Sequence, residues 1–210
     1  MQQKTFFIVI IGIIIAAFFL VPTFVLFTAD NQTQNKNMIA LPPPETDGNV
    51  SVESAIQSRR SVRDFQSYTL SLDEIGQLLW AGQGITEPRE NPPAGWPGEE
   101  WPGGLKSAPS AGALYPLELY LITGNVSNLD AGVYRYISKS HSLEKVMDGD
   151  RQDALRNAAL GQSPISEASA VLVITGIYER SRVKYGDRAE RYVHMETGAA
   201  SENIYLQCES

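Results

Sequence analysis

One continuous stretch, residues 108–124, constrains the fold more than any other part of this chain. Its first part, Ala-Pro-Ser-Ala-Gly-Ala-Leu-Tyr-Pro, combines a proline, which fixes φ, with a glycine, which permits backbone conformations closed to other residues. In its second part Leu117, Leu119 and Leu121 alternate with polar residues, and this period predicts a strand. A small-residue loop held by a strand is a common way to build a binding site, although an ordinary loop before an ordinary strand would have the same pattern.

A second constraint lies at the N-terminus, where residues 6–27 carry no charge and only Thr23 is clearly polar. About 22 residues at ~1.5 Å each can cross a hydrocarbon core of ~30 Å, so this run predicts a membrane helix. A cleaved signal peptide is the alternative, but its apolar region usually covers only ~7–15 residues. We therefore interpret residues 1–29 as a membrane anchor or uncleaved signal. Lys4 precedes the run and Asp30 follows it, which favours an extracytoplasmic domain.

Composition divides the rest of the chain into a linker and one domain. Residues 30–50 contain asparagine, glutamine, three consecutive prolines and an Asp-Gly pair, a mixture that suits a flexible spacer because it cannot bury a core. Residues 51–210 fit a single domain. The net charge of −7, without a basic patch, argues against nucleic acid as a partner.

The cysteine and the histidines exclude several kinds of site. Cys208 is the single cysteine, so the sequence allows neither an internal disulfide nor a thiolate metal site. His141 and His194 are isolated and do not have the spacing of metal ligands. We therefore expect no metal centre.

Periodicity predicts helices and strands across the domain. Ser71 and Glu74 form a capping box before apolar residues at helical spacing that end near Gly82. Residues 168–176 are apolar at successive positions, which predicts a central strand covered on both faces. The further predicted elements are a helix over 51–59, strands at 117–124, 132–137 and 142–146, and helices at 150–160 and from 187 onwards.

Residues 83–106 are rich in proline and glycine and contain Trp96 and Trp101. A loop longer than ~15 residues is usually functional or disordered. We therefore predict a lid or a partner surface here, with burial of the tryptophans against the core as the alternative.

A cluster of cations follows the first predicted helix, where Arg59, Arg60 and Arg63 flank Ser61. Forked guanidinium donors and a hydroxyl this close together suit an anion such as a phosphate. Basic residues at a helix end also complement the helix dipole, so a solvated C-terminal turn would explain the same cluster.

Three motifs together resemble those of the nitroreductase superfamily: the arginine cluster at 59–63, the small-residue loop at 109–116, and the run Lys-Tyr-Gly-Asp-Arg at 184–188 followed by Arg-Tyr at 191–192. They are most similar to the SagB-type dehydrogenase or azoline-oxidase branch. The resemblance implies an α+β fold, with a central mixed sheet flanked by helices, that forms a homodimer and holds FMN at the subunit interface.

The resemblance also implies roles for individual residues. Arg59, Ser61 and Arg63 would contact the phosphate, ribityl chain and pyrimidine edge of the flavin, and Gln162 falls near a position that often contacts the ring. FMN joins a dianionic phosphate to a large apolar ring, so it suits clustered arginines at one end and bare backbone with apolar walls at the other. Four consecutive residues would reach the flavin of the partner subunit: Pro109, Ser110, Ala111 and Gly112.

Lys184 and Tyr185 match a Lys-Tyr pair of azoline-oxidising relatives, which convert thiazoline or oxazoline rings to thiazole or oxazole. Removal of a hydride needs a group that accepts a proton. A desolvated lysine or tyrosine can serve when a nearby cationic group lowers its pKa. The resemblance therefore implies a catalytic base at this pair. A surface lysine beside a packing tyrosine is the alternative, since the pair also occurs in relatives without a known ring substrate.

These expectations combine into a membrane-anchored, FMN-dependent oxidoreductase that exchanges a hydride with an organic substrate or with NAD(P)H as reductant. Its substrate would be a small molecule or a heterocycle within a peptide. The family pattern continues past the last helix with a glycine loop, a strand and a basic residue that this sequence lacks, so we expect an incomplete C-terminus. A non-catalytic, membrane-tethered module that binds a flavin or another ligand is the alternative function.

Overall fold

The computed structural model describes residues 7–9 and 37–210 of the chain. Of the predicted membrane segment 6–27, only residues 7–9 are described, and they form a short strand. The rest of that segment and residues 30–36 of the linker lie outside the described residues, so the anchor and its side of the membrane stay predictions. In the part of the chain that is described, no helix has the length and apolar character needed to cross a membrane.

The described residues form eight strands and six α-helices, joined by loops and short 3-10 turns. In chain order they are β1 (Phe7–Val9), β2 (Met38–Ala40), α1 (Val52–Ser58), α2 (Leu72–Gln83), β3 (Ile85–Pro88), β4 (Gly104–Lys106), β5 (Leu117–Thr123), β6 (Gly132–Ile137), β7 (Ser142–Asp148), α3 (Gln152–Ala158), α4 (Pro164–Glu167), β8 (Ala170–Gly176), α5 (Tyr178–Tyr185) and α6 (Ala189–Gln207).

A six-stranded sheet forms the centre of the fold, in the order β1-β8-β5-β6-β7-β2. Neighbouring strands are antiparallel except β1, which runs parallel to β8 at one edge. A separate two-stranded ribbon pairs β3 with β4. This sheet, with helices packed on its faces, confirms the predicted α+β class.

Strands β5 and β8 are interior strands of the sheet, each paired on both sides, and both carry apolar residues on two faces. Leu121 of β5 is paired with Leu172 of β8, and this face joins the main core with α2 and α6. On the opposite face Val171 packs with Ile122 and with Ile165 of α4. The prediction of a strand covered on both faces is therefore confirmed, and this strand, β8, lies inside the sheet between β1 and β5.

Helix α2 forms where the capping box predicts it. The Ser71 hydroxyl accepts a hydrogen bond from the Glu74 N–H at 3.2 Å, and the Glu74 carboxylate accepts one from the Ser71 N–H at 2.9 Å. Ile75, Leu78 and Leu79 are buried, and α2 packs against α6. These two helices cover one face of the sheet and carry residues of the site described below.

Part of the predicted linker belongs to the sheet. Strand β2 pairs with β7, and Leu41 directly after it is buried. The His141 imidazole is hydrogen-bonded through Nδ1 to the Tyr136 hydroxyl at 2.8 Å and through Nε2 to the Pro42 carbonyl at 2.8 Å. The sheet therefore begins before the domain boundary that composition predicts at residue 51.

The structure corrects three sequence predictions. Residues 83–106 are not one long loop, because β3 and β4 pair at its two ends. The sequence predicts no helix over 178–185, where α5 forms. This helix is polar on almost every side and buries only Ser181, so no apolar period marks it. The helix predicted at 150–160 covers only Gln152–Ala158.

Candidate active site

The loop at residues 109–116 is held in shape by its own hydrogen bonds. The Ser110 hydroxyl accepts a hydrogen bond from the Tyr115 N–H at 2.9 Å, and the Ser110 carbonyl accepts one from the Ala113 N–H at 3.0 Å. Gly112 has a φ of 65°, and Ala113 and Tyr115 are also left-handed, with φ of 54° and 44°. A left-handed backbone costs a residue with a side chain roughly 1–2 kcal/mol. Such strain tends to occur at functional sites.

Helix α5 brings the predicted Lys184–Tyr185 pair against this loop. A Cβ atom built at Gly112 would lie 2.8 Å from the Tyr185 hydroxyl and 3.0 Å from the Lys184 ammonium. Tyr185 makes an edge-to-face contact with Tyr192, with 4.8 Å between the ring centroids. Lys184 Nζ lies 5.6 Å from the centre of the Tyr185 ring. Residues from two separate sequence motifs thus meet at one place, and glycine is the residue that leaves room for them.

The single chain leaves the Lys184–Tyr185 pair accessible to solvent. Lys184 is exposed and Tyr185 is half-buried. A single chain therefore does not desolvate the Lys184 side chain, as the predicted role of a base requires.

Replacing Gly112 by alanine tests the contact with the pair. An added Cβ at Gly112 would displace the Lys184 ammonium and the Tyr185 hydroxyl. We expect Gly112→Ala to lower the steady-state rate of the reaction catalysed at this site at least tenfold, because a displacement of reacting groups by about 1 Å can lower a rate ~100-fold. Gly149→Ala is the matched control, since Gly149 is also left-handed at 81° but has no atom within 4 Å of its added Cβ. Turnover and the melting temperature should be measured for both variants. Equal turnover in the two would contradict the role of this contact.

Buried polar side chains lie beneath the loop, and the sequence analysis did not identify them as a site. Glu196 of α6 is only 4% exposed. Burial raises its pKa to about 7, while the Ser110 hydroxyl and the Lys106 ammonium act in the opposite direction. Among the described residues, Glu196 Oε1, Ser107 Oγ and Gln83 Nε2 are buried without a hydrogen-bond partner. The one sequence feature that could have indicated this site is the carboxylate of Glu196 on the apolar face of α6.

Lys106 connects this cluster to a cavity that Lys106, Gln83 and Tyr115 line. Its ammonium donates a hydrogen bond to Gln83 Oε1 at 3.2 Å and lies 5.2 Å from the centre of the Tyr115 ring. Burial lowers the pKa of Lys106 to about 8, and the nearby Glu118 carboxylate partly opposes this change. A lysine in this state remains mostly protonated at neutral pH and lacks full solvation.

The predicted arginine cluster lies at the end of α1, beside the C-terminal half of α6. The guanidinium of Arg59 lies 5.9 Å from the centre of the Tyr205 ring. Arg60 donates to the backbone carbonyls of Gln57 and Arg59, and Arg63 to that of Ser61. Across residues 37–210, no carboxylate lies within ion-pair distance of these three arginines. Their charges are therefore available to an anion.

The structure does not join all the predicted site residues within one chain. In the described part of the chain, no hydrogen bond or ion pair links the arginine cluster to residues 109–112. Gln162 lies in the connection between α3 and α4, is exposed, and donates to the Ala159 carbonyl at 3.2 Å. The roles of Arg59, Ser61, Arg63, Pro109–Gly112 and Gln162 toward a flavin therefore stay predictions.

The connection between β3 and β4 contacts the loop through its tryptophans. Trp96 Nε1 donates a hydrogen bond to the Ala113 carbonyl at 2.9 Å. Trp101 packs edge-on against Trp96 and tilted against Tyr115, with centroid distances of 5.4 and 6.3 Å. Both tryptophans are half-buried. The ribbon and its connection, residues 85–106, thus form a cover, here called the flap, that is fastened to the site loop.

Comparison with known proteins places the three sequence motifs inside one conserved domain. The nitroreductase family profile matches residues 56–210, which include all three. The chain is 40% identical over 161 residues to a protein of Methanocaldococcus jannaschii that carries the name nitroreductase, covering 77% of this chain and 74% of that protein.

Two further comparisons agree with the match to the nitroreductase family. The microcin B17-processing protein McbC of Escherichia coli is 36% identical over 111 residues, which cover 50% of this chain and 41% of McbC. A solved structure from Ralstonia eutropha, also named as a nitroreductase, superposes with a TM-score of 0.65 at 26% identity and covers 91% of this chain and 77% of its own. The chain thus spans less than half of McbC but most of the other two proteins.

Proposed function

Because the chain belongs to the nitroreductase family, we propose that it is an oxidoreductase that uses FMN to transfer a hydride to or from an organic substrate. The similarity to McbC supports the SagB-type dehydrogenase or azoline-oxidase branch of that family. The observation that carries the proposal is the contact of Gly112 with Lys184 and Tyr185. It brings the small-residue loop and the predicted base together at a site with strained backbone.

The residues present fit a flavin mononucleotide in their chemistry. The phosphate needs clustered donors. Arg59 and Arg63 supply guanidiniums that have no carboxylate partner in the described chain, and Ser61 adds a hydroxyl. The flat ring needs closely approaching backbone, which residues 109–112 provide around a left-handed glycine. When bound, FMN would supply a two-electron acceptor or donor.

Among the described residues no hydrogen bond or ion pair joins the two parts of this binding set within one chain, and a homodimer would bring them together. We propose that the arginines of one subunit and the Pro-Ser-Ala-Gly loop of the other hold the same flavin, with Gln162 near its ring. A second subunit would also cover Lys184, which is exposed in the single chain. Covering the lysine would supply the desolvation that lowers its pKa.

Each residue of the pair then has a stated task. Lys184 or Tyr185 accepts the proton that a substrate loses when it gives up a hydride. Gly112 leaves the space in which both side chains are positioned. The flap, through Trp96 and Trp101, keeps water from this side of the loop.

The substrate class follows from the branch and is part of the proposal. McbC is named for the processing of microcin B17, and the resembled branch oxidises azoline rings, so an azoline ring carried by a peptide is the first substrate to test. A small nitroaromatic or quinone is the second. NAD(P)H is proposed only as a donor that reduces the flavin.

Flavin binding is the direct test. We expect the purified full-length protein to be yellow, or to become yellow with added FMN, and its visible absorbance to bleach with a reductant. Arg63→Ala should weaken FMN binding by about tenfold or more, since it removes a charge-assisted hydrogen bond. Arg151→Ala, an exposed arginine bonded to the Asp148 carbonyl, is the control and should leave the affinity unchanged. A colourless protein that takes up no FMN would overturn the proposed function.

A further inference from the structure

A cavity of about 230 Å³ lies between the flap and one end of the sheet. Strands β5 and β6, the start of α5, the flap and the end of the site loop all contribute to its walls. None of the residues predicted to bind flavin or to act as base lines it. Its volume is slightly below the ~300–1,000 Å³ of pockets that hold drug-sized ligands, so it suits a small molecule.

Lys106 and Gln83 give this cavity hydrogen-bond donors that the protein does not satisfy. The Lys106 ammonium has three N–H donors, and the one side-chain acceptor within hydrogen-bond distance among the described residues is Gln83 Oε1, at 3.2 Å. The Gln83 amide nitrogen is buried without a partner in the same part of the chain. An unpaired buried donor costs free energy, so this pair favours an acceptor brought by a ligand.

The charges around the cavity also favour an anion. Two cations in its wall have carboxylate partners: Arg180 pairs with Glu118 at 2.6 Å, and Arg135 pairs with Glu144 at 2.7 Å. The other two, Lys106 and Lys139, have no carboxylate within ion-pair distance among residues 37–210. Glu100 is the one further acidic residue in the wall. The cavity thus carries a positive charge excess in a protein of net charge −7.

Aromatic rings also line the cavity. Trp101, Tyr115 and Tyr136 all border the cavity, and the Lys106 ammonium lies over the Tyr115 ring at 5.2 Å. Aromatic side chains bind flat apolar groups by stacked or edge-on contacts. The cavity thus combines a cationic end with walls for a ring.

We propose that this cavity is a second site, separate from the flavin and base residues, that binds a small carboxylate attached to an apolar or aromatic ring. The carboxylate would accept hydrogen bonds from the Lys106 ammonium, and the ring would lie against Trp101 and Tyr115. Occupation would satisfy donors that are otherwise unpaired. The site does not depend on FMN, so it stands or falls independently of the proposed function.

Isothermal titration calorimetry of the full-length protein with sodium benzoate tests this proposal, with neutral benzamide as the comparison. We expect saturable binding of benzoate and at least tenfold weaker binding of benzamide, because only the carboxylate forms charge-assisted hydrogen bonds. Lys106→Met should weaken benzoate binding at least tenfold. Saturating FMN should not displace bound benzoate.

Lys145→Met is the matched control. Lys145 is also half-buried and lies over a tyrosine ring, at 5.8 Å from that of Tyr134, but it pairs with Asp148 outside this cavity. Its replacement should not change benzoate affinity, and circular dichroism should show that both variants fold. The proposal is overturned if wild-type protein shows no saturable benzoate binding, if benzamide binds equally well, if FMN competes, or if folded Lys106→Met binds as wild type does. The comparison of the two ligands needs no variant.

Discussion

Lys184→Met and Tyr185→Phe are each expected to lower the rate of azoline oxidation by roughly 100-fold to 10,000-fold, the usual contribution of a positioned general base. Both side chains contact the position of Gly112, so each is placed to receive a proton near the proposed flavin. The measurement is the single-turnover rate of flavin reduction by a peptide that carries a thiazoline ring. FMN affinity should change little, since neither residue belongs to the proposed phosphate site.

The same variants separate catalysis from binding. Reduction of the bound flavin by dithionite removes no proton from carbon, so its rate should not change in either variant. Arg182→Met is the matched control on the same helix, because Arg182 is exposed and pairs with Glu179 at 3.2 Å. If both variants oxidise the ring at the wild-type rate, the pair is not the base. If no variant or wild-type protein turns over while FMN still binds, the alternative of a flavin-binding module gains support.

Glu196→Gln is expected to stabilise the protein by about 3 kcal/mol at pH 8 and to have little effect near pH 4, since one pKa unit is worth ~1.4 kcal/mol. Burial raises the pKa of Glu196 from 4.5 to about 7, so the folded state binds a proton that the unfolded state has released. The contribution of this carboxyl to stability is therefore complete below pH 4.5 and is lost as the pH rises through 7. Glutamine is neutral at every pH and avoids that loss.

Urea unfolding of wild type and variant between pH 4 and pH 8 measures this difference. Glu202→Gln is the control, because Glu202 lies on the same helix but is exposed, and an exposed substitution usually changes stability by less than ~0.5 kcal/mol. If Glu196→Gln and Glu202→Gln show the same dependence on pH, the buried carboxyl is not protonated as described. The result would show the protonation state of a carboxyl that interacts with Ser110 of the site loop.

The sequence predicted well the features that depend on residues close together in the chain. The capping box at Ser71 and Glu74 predicted the start of α2, and the continuous apolar run predicted that β8 is an interior strand covered on both faces. The family was also predictable, because three motifs at compatible separations are specific even when each one alone is common.

The features that sequence missed depend on contacts between distant residues. Lys106, Gln83 and Glu196 come from three elements, and nothing local marks them as neighbours. Strands β3 and β4 are short, and β3 contains a proline, which is depleted in strands. Helix α5 owes its place to packing against α6 rather than to an apolar face of its own. The exposure of Lys184 could not be predicted from the sequence either, because the solvation of this side chain depends on which distant residues cover α5.

The hydrogen bond from Trp96 to Ala113 mechanically couples the two regions of the protein for which we propose ligands. Ala113 directly follows Gly112, so an outward swing of the Trp96 indole must either break that bond or drag the neighbouring peptide with it. Trp101, which packs on Trp96, borders the cavity that we propose binds a carboxylate. A ligand that separates the two indole rings would therefore shift the backbone that faces Lys184 and Tyr185.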